Sequence, residues 1–107
     1  MISVAGKMKL LPGFQNEYKK RHDEIWPELK ALLFSKGIHN YSIFLDEETN
    51  TLFAMLTVDD PAQVDELKSY DLMKKWWDYM KDIMETNKDN SPLYTPLREM
   101  FYLSDGQ

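Results

Sequence analysis

A chain of 107 residues has room for one domain and a modest hydrophobic core. With 43% hydrophobic and 13% aromatic residues it is no disordered polymer, its net charge of −5 offers nucleic acid no basic face, and the absence of cysteine removes disulfide and thiol chemistry. No run approaches the ~20 apolar residues of a membrane helix, and Met1 to Lys7 lacks the charged start and long apolar stretch of an export signal, so a cytoplasmic protein without membrane contact is expected.

Residues 2–10 alternate, with Ile2, Val4, Met8 and Leu10 on one face, and predict a strand closed by Pro12-Gly13. A helix is predicted from about Phe14 to Ser35, with Gly37 as its stop. Pro27 interrupts it, because it cannot donate to the carbonyl of Asp23 and its ring crowds that turn. The helix either kinks there or breaks and restarts with Pro27 in first position. On a helical wheel Tyr18, His22, Ile25, Trp26, Leu29, Leu32 and Leu33 share roughly a third of the circumference. His22 lies mid-stripe, with Tyr18 one turn before and Trp26 one turn after. A titratable ring on an inward face either makes a satisfied core hydrogen bond or serves a pocket, and the stripe alone leaves both open.

Residues 38–45 and 52–58 predict a hairpin across a turn at 46–50, with Tyr41, Ile43 and Leu45 on one face of its first strand. Asp60-Pro61 reads as a short helix start, with Asp60 as N-cap and Gln63 reaching back. The last helix, Asp71 to about Glu85, carries Leu72, Trp76, Trp77, Met80, Ile83 and Met84 on one broad side. A polar loop spans 87–92, and Leu97 to Leu103 reads as a final strand.

Strand, helix, strand, strand, helix, strand is the order of a ferredoxin-like α+β sandwich: an antiparallel four-stranded sheet with helices on one face. In the third strand Leu52, Ala54, Leu56 and Val58 share one face while Phe53 and Met55 occupy the other. The face away from the helices then needs cover, and a second copy of the chain is the expected cover. A homodimer follows.

For chemistry the candidates are few. Two histidines, His22 and His39, without cysteine make no zinc set, and four scattered glycines make no phosphate loop. Lys19-Lys20-Arg21 is followed by Asp23, Glu24 and Glu28, a solvated helix face. What remains is His22 with Tyr18, Trp26, Tyr41 and the pair Trp76-Trp77. Neighbouring tryptophans on a helix point about 100° apart. One can fill the core while the other lines something else, or both can be core and rim. Aromatic walls with a few polar tips also suit a neutral sugar.

The residues Glu17-Tyr18, Arg21-His22, Ile25-Trp26-Pro27-Glu28-Leu29, His39-Asn40-Tyr41 and Leu52-Phe53-Ala54-Met55 carry a resemblance. It continues in Trp76-Trp77, Tyr79-Met80, Asn87, Asp89-Asn90-Ser91-Pro92 and Phe101-Tyr102-Leu103. The chain resembles the L-rhamnose mutarotases, small enzymes that interconvert the α and β anomers of L-rhamnose. The resemblance covers nearly the whole chain; Asp59 to Lys75 and the tail 104–107 show little of the pattern. It implies a dimeric α+β barrel, a single domain over 1–107 with a loose tail at 104–107, and L-rhamnose as substrate with neither cofactor nor metal. It also implies His22 as the acid catalyst and Tyr18, Tyr41, Trp76 and Trp77 as the sugar-contacting residues.

Anomer exchange needs a proton delivered to the ring oxygen and another removed from the anomeric hydroxyl. An imidazole of ordinary pKa about 6.5 suits that work near neutrality. The acceptor of the anomeric proton stays open among Tyr18, a backbone carbonyl near the Pro27 break and an ordered water. Two other classes compete: a cofactor-free or haem-linked monooxygenase of this fold, in which a helical histidine can ligate haem, and a non-catalytic sugar-binding module. Neither accounts for Tyr18, His22, Tyr41 and Trp76-Trp77 together.

Overall fold

Pro27 decides how the first half of the chain folds. In the computed structural model, which describes residues 1–106, the strand β1 (Ile2–Lys9) leads into two separate helices, α1 (Gln15–Asp23) and α2 (Pro27–Ser35). The break is thus realised rather than the kink. The proline ring drives Trp26 to an extended conformation (φ −59°, ψ 131°), and Pro27 takes the first position of α2, where its missing N–H costs nothing. Gly37 ends α2 with φ 82°, a left-handed turn that a side chain would strain.

The predicted hairpin forms from β2 (Ile38–Asp46) and β3 (Thr51–Val58). Asp60 then caps α3 (Pro61–Asp65): its Oδ1 accepts the Ala62 N–H at 3.0 Å. The long helix α4 (Asp71–Met80) tightens into a 3-10 turn over Lys81–Ile83, which carries the buried side on to Ile83 and Met84. The chain closes with β4 (Thr95–Leu97).

The four strands form one antiparallel sheet in the order β2-β3-β1-β4, as expected for the ferredoxin-like α+β class. Pairing places Leu45 opposite Leu52 and Leu52 opposite Met8, and places Ile43, Ala54 and Gly6 in the next row on the same face. That face meets the helices. Met8, Leu10, Leu52 and Ala54 pack there against Tyr18, Leu29, Trp76, Met80 and Ile83. None of the described helices is long and apolar enough to cross a membrane.

The final strand is shorter than its sequence pattern suggests. Leu97 pairs with Ala5, and in this antiparallel register each step toward Leu103 moves one residue closer to Met1. Residue 101 would already meet Met1, so a strand reaching 103 would outrun its partner. Pairing stops at Leu97, and Met100, Phe101, Tyr102 and Leu103 are exposed. The tail expected over 104–107 runs into Gln107, outside the described residues.

Candidate active site

A cavity of about 750 Å³ opens between α1, α2 and the inner face of β2. Its walls include Tyr18 and His22 from α1, Tyr41 and Ile43 from β2, and Trp76 from α4. Four of the five residues expected at the site therefore meet around one hollow. Trp77, displaced about 100° around α4 from Trp76, packs half-buried against the core and is not among the cavity walls.

His22 is held between two rings. The Tyr18 ring stacks on it at 4.3 Å and 28°, and Trp76 meets it edge-on at 5.4 Å and 88°. His22 Nδ1 lies 3.1 Å from the carbonyl oxygen of Tyr18, one turn earlier on α1. A carbonyl can only accept, so Nδ1 carries the proton and donates it there. In the neutral ring Nε2 is then left with its lone pair, and it has no hydrogen bond among the described residues. Burial lowers the His22 pKa below its ordinary 6.5; the Tyr18 carbonyl and the Asp23 carboxylate oppose that fall without cancelling it. The ring is therefore neutral at neutral pH.

The two tyrosines move the other way. Burial pushes the Tyr18 phenol far above its ordinary value, with a smaller contribution from Tyr41. Tyr41 stands at the cavity rim and is 45% exposed over the residue as a whole, yet crowding of its hydroxyl pushes it up to about 12. Both phenols stay protonated at neutral pH, with their O–H groups able to donate a hydrogen bond. Trp76 is fixed from behind by Trp26 at 5.0 Å and by Tyr79 at 5.6 Å. His39 stands at the start of β2, exposed and paired with Asp59 at 2.7 Å. Among the described residues no group of histidines and carboxylates could hold a metal ion.

Sequence reasoning passed over Tyr94. Its ring lies over Gly6 on the inner face of the sheet, so close that a Cβ on Gly6 would fall 2.0 Å from Cζ and 2.2 Å from the phenol oxygen. Its hydroxyl adds to the rise of Tyr41, as Tyr41 adds to that of Tyr18. The available signal was Gly6 itself: a glycine inside an alternating strand marks the close approach of another group.

Fold and cavity define a small ferredoxin-like α+β protein with a histidine held between aromatic rings in the wall of a hollow. The family described as L-rhamnose mutarotase matches over residues 3–103. An L-rhamnose mutarotase of Formosa agariphila is 52% identical over 96% of this chain and 99% of its own length. One from Flavobacterium johnsoniae is 55% identical over 95% of each. The crystal structure of the L-rhamnose mutarotase from Formosa agariphila, 51% identical, matches with a TM-score of 0.91 over 97% of this chain and 100% of that one. An antibiotic biosynthesis monooxygenase of known structure, 11% identical with a TM-score of 0.51 over 94% and 99% of the two chains, shares the fold alone. The chain belongs to the L-rhamnose mutarotase family and is an isomerase.

Proposed function

We propose that this chain interconverts the α and β anomers of L-rhamnose, with His22 as the proton carrier. The observation that carries the reading is the imidazole itself: Nδ1 anchored on the Tyr18 carbonyl, Nε2 without a hydrogen bond among the described residues, and the ring forming part of the cavity wall. Neutral His22 takes the anomeric hydroxyl proton at Nε2. The bond from the anomeric carbon to the ring oxygen breaks toward oxygen, and the imidazolium donates the proton there. The products are the open-chain aldehyde, a new hydroxyl and neutral His22. Rotation of the aldehyde presents its other face, and the same steps in reverse close the ring as the opposite anomer.

Tyr18 and Tyr41 orient the sugar as donors, which their raised phenols support. Trp76 supplies the hydrophobic wall, and Trp77 supports it from the adjoining side of α4. A histidine shuttle of this kind contributes roughly 10²–10⁴-fold. The test is anomer exchange by saturation-transfer NMR with His22→Ala, beside calorimetry on the same variant. Exchange falling to the buffer rate with binding retained is expected. Undiminished exchange in a folded, sugar-binding variant removes His22 from the mechanism, and a wild-type protein that binds without exchanging is a sugar-binding module.

On the same reading residues 1–107 form a single mutarotase domain, acting in the cytoplasm in rhamnose metabolism as a homodimer. Support for the dimer comes from the sheet face away from the helices. Phe44, Met55 and Leu97 are exposed there, and Tyr102 stands over a groove on that face with Ala5 and Met55. Large apolar side chains exposed together on one face, with polar residues among them, suit an interaction site.

A further inference from the structure

The helix that carries His22 has little grip of its own. α1 is nine residues long, no side chain caps its N-terminus, and Tyr18 is its one buried side chain. The break before Pro27 uncouples it from α2. Isolated helices this short are marginal in water. Yet the His22 ring has defined positions against both Tyr18 and Trp76.

Arg21 supplies the missing hold. Its side chain is only 12% exposed. Nε donates to Glu17 Oε2 at 2.7 Å, one turn back on α1. Nη1 donates to the carbonyl oxygen of Tyr79 at 2.7 Å and to Asp82 Oδ1 at 2.9 Å, and Nη2 donates to Asp82 Oδ2 at 3.2 Å. The guanidinium also lies 4.6 Å over the Tyr79 ring. Tyr79 is in the last turn of α4, where carbonyls lack helical partners and the helix dipole favours a cation. The same Tyr79 ring packs on Trp26 at 5.5 Å and on Trp76 at 5.6 Å. One side chain therefore ties α1 to the end of α4 and braces the tryptophan wall.

We propose that Arg21 is a positioning residue, a fork that clamps α1 to the C-terminal end of α4 and so presents His22 Nε2 to the cavity beside Trp76. Arg21 is not among the cavity walls and acts through His22. The inference rests on the reading of His22 as proton carrier. Lysine cannot replace the fork, because a single ammonium lacks the planar donor set that spans Glu17, Tyr79 and Asp82 together.

The experiment compares Arg21→Lys and Arg21→Ala with Lys20→Ala, which removes an exposed charge from the same helix at a residue that is not among the cavity walls. Saturation transfer gives kcat and KM for anomer exchange, and an NMR titration follows the His22 ring. In both Arg21 variants kcat falls by on the order of 10²-fold with KM little changed, the cost of misplacing a reacting group by about 1 Å. The His22 titration moves up toward its ordinary value as the loosened ring meets water. Lys20→Ala leaves rate and titration as in the wild type. The clamp is overturned by an unchanged kcat in folded Arg21→Lys, by an equal loss in Lys20→Ala, or by a rise in KM alone. Should Arg21→Ala not fold, Arg21→Lys decides. Should the wild type itself fail to exchange anomers, the functional reading falls; an unshifted His22 titration in Arg21→Lys would still refute the clamp, and an upward shift would still support it.

Discussion

Gly6 is a point of close contact between the sheet and Tyr94, and replacing it by alanine tests that contact. Gly6 has the ordinary extended backbone of β1, so a methyl group there meets no conformational strain. The obstacle is Tyr94, whose Cζ, phenol oxygen and Cε2 would lie 2.0, 2.2 and 2.3 Å from the new carbon. Ordinary carbon contacts fall at about 3.5–4.0 Å, so the ring must retreat by about 1.5 Å. Tyr94 is 47% exposed, and the displaced group is the far end of a side chain, so the ring moves and the sheet does not. Overpacking costs about 1–3 kcal/mol. Against it, alanine in place of an extended glycine returns ~0.5–1 kcal/mol by restricting the unfolded chain.

Gly6→Ala alone should therefore lower unfolding free energy by about 0–2.5 kcal/mol. In a Tyr94→Ala background the obstacle is gone, and the same substitution should stabilise by ~0.5–1 kcal/mol. Denaturant unfolding of the four proteins in a double-mutant cycle then gives a coupling of about 1–3 kcal/mol. A coupling within the additivity error of about 0.3–0.5 kcal/mol would refute the contact.

The sequence read most clearly where a local rule and the tertiary packing agree. The Pro27 interruption, the Asp60 cap and the alternation in β3 each follow from one or two residues, and each appears where expected. The stripe through Tyr18 and His22 pointed to a shared inward face, and the rings do stack there. Where a feature depends on a partner strand or a distant helix, the pattern failed. Leu97 to Leu103 alternates like a strand, but the length of β1 on the far side of the register sets where pairing ends. Arg21 read as part of a solvated run, since nothing near it in sequence announces Tyr79 and Asp82. Tyr94 carried no motif, and its position is visible only from the space that Gly6 leaves.

Two further outcomes follow from the outer face and from His22. Phe44→Glu puts a charge on the exposed face of β2, away from the cavity, and sedimentation should show a dimer of wild type and a single chain for the variant; equal masses would refute pairing through that face. The exchange rate, corrected for the buffer reaction, should be flat through neutral pH, because burial keeps His22 neutral with Nε2 ready to accept. As pH falls, the rate should drop along a limb whose midpoint lies below the ordinary 6.5 of an imidazole. Stability changes in the same direction: the unfolded chain binds a proton at 6.5 before the folded one does, so the His22 contribution is complete above that pH and is lost as pH falls from 6.5 through the lowered folded value. A limb centred at or above 6.5 in wild type would mean that the ring works in water rather than between Tyr18 and Trp76. In that case the stacked geometry could not describe the state that turns over.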